Sequence, residues 1–145
     1  MVKYPMKFVV KGSAVPGINV NWHTSAEAVG AGLQAAIPPE FDGPGGGFSA
    51  EDFYALAIIN CYISTFKVYA EKSQLLFSYV TAQVTLEVDR DEKGFPWMAR
   101  AHLDVVLDKP SSKELGQKIL EKAVKGCLVM NSIKTDKTVN LQIAE

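Results

Sequence analysis

Between Phe53 and Ile63 the chain reads Phe-Tyr-Ala-Leu-Ala-Ile-Ile-Asn-Cys-Tyr-Ile, apolar on every side of a helix except at Asn60. A helix without a polar face has to be covered on all sides. In a chain of 145 residues that leaves two solutions: a sheet wraps the helix, or a partner subunit covers its far side. The start of the helix is marked by Ser49, with Asp52 three residues on in the pattern of a capping box, Asp standing in for the usual Glu. The helix is expected from about Ala50 to Glu71 or Lys72. Its charged second half, from Lys67, emerges toward water.

The flanking segments supply the sheet. Met6 to Ala14 and Ile18 to Trp22 read as two strands around a Val15-Pro16-Gly17 turn, and Thr24 to Ala36 fits neither period. Prolines and glycines from Ile37 to Gly47 exclude a regular element there. Beyond the helix comes a hairpin. Val80, Ala82, Val84, Leu86 and Val88 alternate with polar residues, Arg90 to Gly94 turn, and Ala99, Ala101, Leu103, Val105 and Leu107 face inward on the return, with Arg100, His102 and Asp104 outward. Ser111 with Glu114 suggests a second capping box. The helix it opens carries Leu115, Ile119 and Ala123 on one stripe, which Cys127 would extend past Gly126. A last strand spans about Thr138 to Ile143. The order β-β-α-β-β-α-β predicts α+β architecture: one domain over residues 1–145, an antiparallel sheet with two helices packed on one face.

Composition narrows the chemistry. A formal net charge of −1 gives no electrostatic reason to bind nucleic acid or an anionic membrane. No run of about 18 apolar residues predicts a transmembrane helix, and the first seven residues lack the apolar core of a signal peptide. A cytoplasmic protein is the expectation. His23 and His102 stand alone, whereas a metal site needs at least three convergent ligands, so neither metal nor cofactor is expected. The Gly43 to Gly47 loop is followed by neither Lys-Ser/Thr nor a dinucleotide fingerprint. Gly-x-Ser-x-Gly is absent. Two cysteines, Cys61 and Cys127, are too few for a disulfide scaffold. In a reducing compartment they are either small buried hydrophobes or redox groups. Glu51 is either a carboxylate favoured by the helix start or one that orients a cation in a site.

These residues form a larger pattern. Pro39-Glu40-Phe41-Asp42-Gly43-Pro44-Gly45-Gly46-Gly47, then Phe48-Ser49-Ala50-Glu51-Asp52-Phe53, then Asn60-Cys61, with Cys127-Leu128-Val129-Met130-Asn131-Ser132 near the other end, resembles the OsmC/Ohr family. Glu51 keeps the family's ten-residue spacing to Cys61. The resemblance implies a cytoplasmic, homodimeric thiol peroxidase of the oxidative and osmotic stress response. Cys61 would attack an organic hydroperoxide and pass through a sulfenic acid. Cys127 would resolve it as a disulfide, and a small dithiol or a redox protein would reduce that bond. The alternative is a divergent OsmC-like protein without efficient turnover that binds a small apolar ligand at the dimer interface.

The sequence departs from the pattern in two places. The family's arginine, held by the helix-start glutamate, has no counterpart before Arg90, and Leu128 stands where a proline follows the second cysteine. Geometry adds a constraint. Ten helical residues span about 15 Å, so Glu51 and Cys61 of one straight helix cannot touch. If both serve one site, Glu51 comes from the partner of an intertwined homodimer.

Overall fold

A computed structural model describes residues 3–145. The chain divides into two compact units, the first running to Phe53 and the second spanning Tyr54–Glu145.

In the first unit, β1 (Val10–Ser13), β2 (Trp22–Ala26) and β3 (Gly32–Ala35) form an antiparallel sheet in that order. Both N-terminal strands differ from the expectation. The first is shorter, and the second starts where it was expected to end. The ambiguous stretch from Thr24 to Ala36 holds the rest of β2 and all of β3. Periodicity failed there because the sheet has almost no buried face to impose it: all four side chains of β1 are exposed, as are three of four in β3. The Pro/Gly loop contains a single 3-10 turn, Pro39–Phe41. Phe48 then bridges to Ala35. Gly43 is required by crowding, since a Cβ there would lie 2.1 Å from the Ile37 carbonyl oxygen. The capping box is present, with the Ser49 N–H donating to Asp52 Oδ2 (2.9 Å) and the Asp52 N–H to Ser49 Oγ (3.0 Å).

It opens α1 (Ala50–Lys72). Ile58, Tyr62, Phe66 and Ala70, spaced by four, are the residues of α1 that are buried. The helix is therefore apolar on more faces than its own chain covers. By length and hydropathy it is also long and apolar enough to cross a membrane, although its sequence holds no unbroken apolar run of that length. The polar Asn60, Ser64 and Thr65 interrupt the run, and each bonds along the helix instead: Asn60 Nδ2 to the Leu56 carbonyl, Ser64 Oγ to Asn60 and Thr65 Oγ1 to Cys61.

The second unit holds the core. Its sheet is β4 (Tyr79–Arg90), β5 (Pro96–Asp108) and β6 (Asp136–Ala144), with β5 central. Two corrections to the sequence reading follow. The fold has two three-stranded sheets rather than one antiparallel sheet, and β6 runs parallel to β5. The parallel pair arises because α2 (Lys113–Gly126) and the short α3 (Leu128–Ser132) carry the chain back across between the two strands, the crossover that a parallel pairing needs. The α+β class stands. The hairpin register is as read up to Glu87, where a bulge shifts it and leaves Val88 39% exposed rather than inward. Ala99, Ala101, Leu103, Val105 and Leu107 of β5 are buried. From Ala101 on they pack with Ile58, Tyr62 and Phe66 of α1 and Ile119, Leu120 and Ala123 of α2. The cap of α2 is Ser112, whose Oγ accepts from the Leu115 N–H, and not Ser111. Ser111 is spent on Leu76, accepting from its N–H through Oγ and donating to its carbonyl.

Candidate functional site

The second unit brings both cysteines together from positions 66 residues apart (127 − 61). Cys61 is half-buried on α1 and packs against the core, and Cys127 is wholly buried within it. Both are free thiols. Cys127 does not extend the stripe of α2 as a further helical turn. It ends α2 and begins α3, in extended conformation. Gly126 explains how the chain reaches that point: a Cβ there would sit 2.5 Å from Tyr69 Oη, so α1 and the end of α2 approach too closely for any side chain.

The two sulfurs differ in surroundings. Burial pushes the Cys127 thiol up from its ordinary 9.0 to about 11. The N–H groups of Met130 and Val129 pull the other way, while a hydrogen bond to Cys61 and the charge Cys61 would carry add to the rise. Cys127 is thus held as a protonated thiol close to Cys61. Cys61 Sγ accepts a hydrogen bond from the Val129 N–H at 3.4 Å. Tyr62, next in sequence, is fully buried and donates from its hydroxyl to the Leu120 carbonyl at 3.1 Å. Burial, and then the neighbouring Cys127, raise its phenol far above the usual range. It is a neutral wall of the site.

The α3 segment is fixed at both ends. Its start is Cys127. Beyond its end, buried Thr135 shares a 2.6 Å hydrogen bond with the Tyr54 hydroxyl of α1. Inside, Asn131 Nδ2 donates to the Lys125 carbonyl at 2.9 Å and Ser132 Oγ to the Leu128 carbonyl at 2.8 Å. Leu128, where a proline was looked for, points its side chain outward and is 72% exposed.

Glu51 is not brought to the sulfurs by its own helix. It lies in the first turn of α1, half-buried, ten positions along the helix from Cys61. Arg100 faces outward on β5 and is committed there, its Nε 2.6 Å from Glu87 and its Nη2 2.8 Å from Asp89. His102 lies on the same outer face between Thr138 and Asp104. His23 sits on exposed β2, paired in register with Ser13 and Gln34. Among the described residues of the second unit, no cationic side chain donates to Cys61 Sγ.

Sequence reasoning missed Val129 and Tyr62. A backbone N–H has no signature in a sequence. Tyr62 had a signal, being a tyrosine inside an otherwise apolar stripe, which must find a partner for its hydroxyl when buried.

The model of the OsmC-like protein family matches residues 43–142, a span that includes Glu51, Cys61 and Cys127. No curated protein matches the chain. Among solved structures, an OsmC-like protein of unknown function from Vibrio cholerae superposes with TM-score 0.81 at 16% identity, covering 94% of this chain and 99% of that one. An OsmC-like protein from Mycoplasma pneumoniae gives 0.80 at 13%, covering 97% and 99%. An organic hydroperoxide resistance protein from Legionella pneumophila gives 0.71 at 20%, covering 99% and 100%. At these identities the likeness is one of fold.

Proposed function

The chain belongs to the OsmC-like protein family, and from that premise we propose that it reduces organic hydroperoxides, with Cys61 as the attacking thiolate and Cys127 as the resolving thiol. The observation that carries this reading is that two free cysteines meet at the same apolar core, with Cys61 Sγ hydrogen-bonded to the Val129 N–H two residues beyond buried Cys127. The thiolate of Cys61 attacks the terminal oxygen of ROOH. The O–O bond breaks, RO⁻ leaves and takes a proton to become the alcohol, and Cys61 becomes a sulfenic acid. Cys127 then gives up its proton and bonds to the Cys61 sulfur, and hydroxide leaves as water. A small dithiol or redox protein reduces the resulting disulfide and is itself oxidised. The apolar lining favours alkyl hydroperoxides over hydrogen peroxide.

The same reading includes an intertwined homodimer. The first unit exposes Phe8, Val10, Val15, Ile18, Val29 and Leu33, and its sheet borders an apolar groove of about 710 Å³ lined by Val10, Val29, Leu33 and Phe53 among others. Surfaces of this kind mark interaction sites. A second copy would cover them and would deliver its Glu51 to the thiol pocket.

The test is a count of free thiols after adding cumene or tert-butyl hydroperoxide to the reduced protein. Rapid loss of both thiols is expected, and Cys61→Ser should abolish it. Absence of loss, or slow loss of a single thiol, would sink the peroxidase reading. It would leave the alternative of a divergent member binding a small apolar ligand at the dimer interface, which the lack of a cation donating to Cys61 in the second unit favours.

A further inference from the structure

We infer that the main-chain N–H of Val129 is the group that stabilises Cys61 as its thiolate, in the role the missing arginine would otherwise fill. This rests on the thiol chemistry proposed above and adds to it a residue with no side-chain chemistry of its own. The direct observation is the 3.4 Å hydrogen bond from Val129 N to Cys61 Sγ. Val129 is the second residue of α3, so its N–H has no partner within the helix and turns to the two sulfurs instead. A helix of five residues is too short for its dipole to matter. The single hydrogen bond carries the effect, and it is worth more to a charged sulfur than to a neutral one.

Three features make this donor a fixed one. Thr135, just beyond α3, is tied to Tyr54 of the same helix that carries Cys61. Asn131 bonds the segment to the Lys125 carbonyl of α2, Ser132 closes it internally on Leu128, and the Asn131 N–H donates to the Cys127 carbonyl at 3.0 Å. The donor and the resolving thiol also sit two residues apart in one segment. The N–H of Val129 lies between the two sulfurs: it donates to Cys61 Sγ at 3.4 Å and also pulls down the Cys127 thiol, whose burial keeps that sulfur protonated and leaves Cys61 as the one that takes the charge. Arg100, the residue a sequence search would turn to, is held on the outer face of the sheet by Glu87 and Asp89.

The test removes the N–H and leaves the side chain. In the full-length protein, Val129 is replaced by its α-hydroxy acid, so that an ester oxygen stands in place of the N–H. Val129→Pro is the genetically simple counterpart, and Val129→Ile keeps the N–H as control. The readout is the pH profile of iodoacetamide alkylation, quantified on the Cys61 peptide. Loss of a hydrogen bond to a charged group should move the midpoint up by about one pH unit or more and slow alkylation at pH 7 roughly tenfold. The Ile variant should match the parent. An ester variant whose profile overlays the parent's overturns the assignment, whatever the proline variant does. The two proposals fail separately. A shifted profile in a protein that does not consume cumene hydroperoxide keeps the Val129 assignment and removes the peroxidase reading. An unshifted profile in a protein that does consume it has the reverse meaning.

Discussion

The two sheets of this protein have the same number of strands and opposite relations to water. In β4–β5–β6, alternate side chains of β5 are buried from Ala99 to Leu107, and two helices close over them. In β1–β2–β3, the buried side chain is Ala35 at the end of β3. A three-stranded sheet needs an apolar face packed against something to hold its shape. The second unit supplies its own packing. The first presents its valines, leucine and phenylalanines to solvent instead. One chain thus contains a part with a core of its own and a part that leaves its apolar side chains uncovered.

Substitutions can break this contrast. The largest effect is expected from Leu103→Ala, which empties a position 2% exposed at the centre of the second unit. It should cost roughly 2–5 kcal/mol in chemical denaturation, independently of protein concentration. Leu33→Asp, on the first sheet and 47% exposed, removes no core contact within its own unit. If a second copy covers that sheet, this variant should run as a monomer in light scattering and melt lower, by a margin that shrinks on dilution as the parent loses its mass-action stabilisation. A variant that keeps the parent's mass and melting temperature would mean the face is simply wet. The smallest effect sharpens the comparison from inside the second unit. The Cys127 thiol, raised to about 11 by burial, keeps its proton in the folded state after the unfolded chain has lost it. Stability should therefore be undiminished below pH 9 and fall as pH rises from 9.0 toward 11. Tyr62, whose phenol is also raised by burial, adds to the fall only above its ordinary 10.0, so Cys127→Ala should flatten the curve mainly between pH 9 and 10. A parent curve flat through that interval would contradict the buried-thiol assignment.

The same contrast explains what could be read from the residues. Where a face is buried, the sequence carries its period: the β4–β5 hairpin, the Ile119–Ala123 stripe of α2 and the extent of α1 were legible, and so was the cap at Ser49 and Asp52. Where no face is buried within the chain, as from Met6 to Ala36, no period exists to read, and the strand limits moved by several residues. The parallel placement of β6 was invisible because a strand's sequence records which face is buried and not which way its neighbour runs. Ser111 and Ser112 were confused because both precede a helix and only the Leu76 backbone distinguishes them. Cys61 and Cys127 were singled out as a pair through family resemblance. The N–H of Val129 was not, because every residue but proline has one.

Gly126, which lets α2 end against Tyr69, sets Cys127 beside Cys61 without any stretch of slack chain between helix end and sulfur. A bond between the two would close a ring between positions 66 residues apart (127 − 61) that encloses β4, β5 and all of α2. Cross-linking a ring of that size removes freedom from the unfolded chain equivalent to about 4 kcal/mol. The molecule that has just met an oxidant would then be the harder one to melt, and the one a reductant returns to service would be the softer.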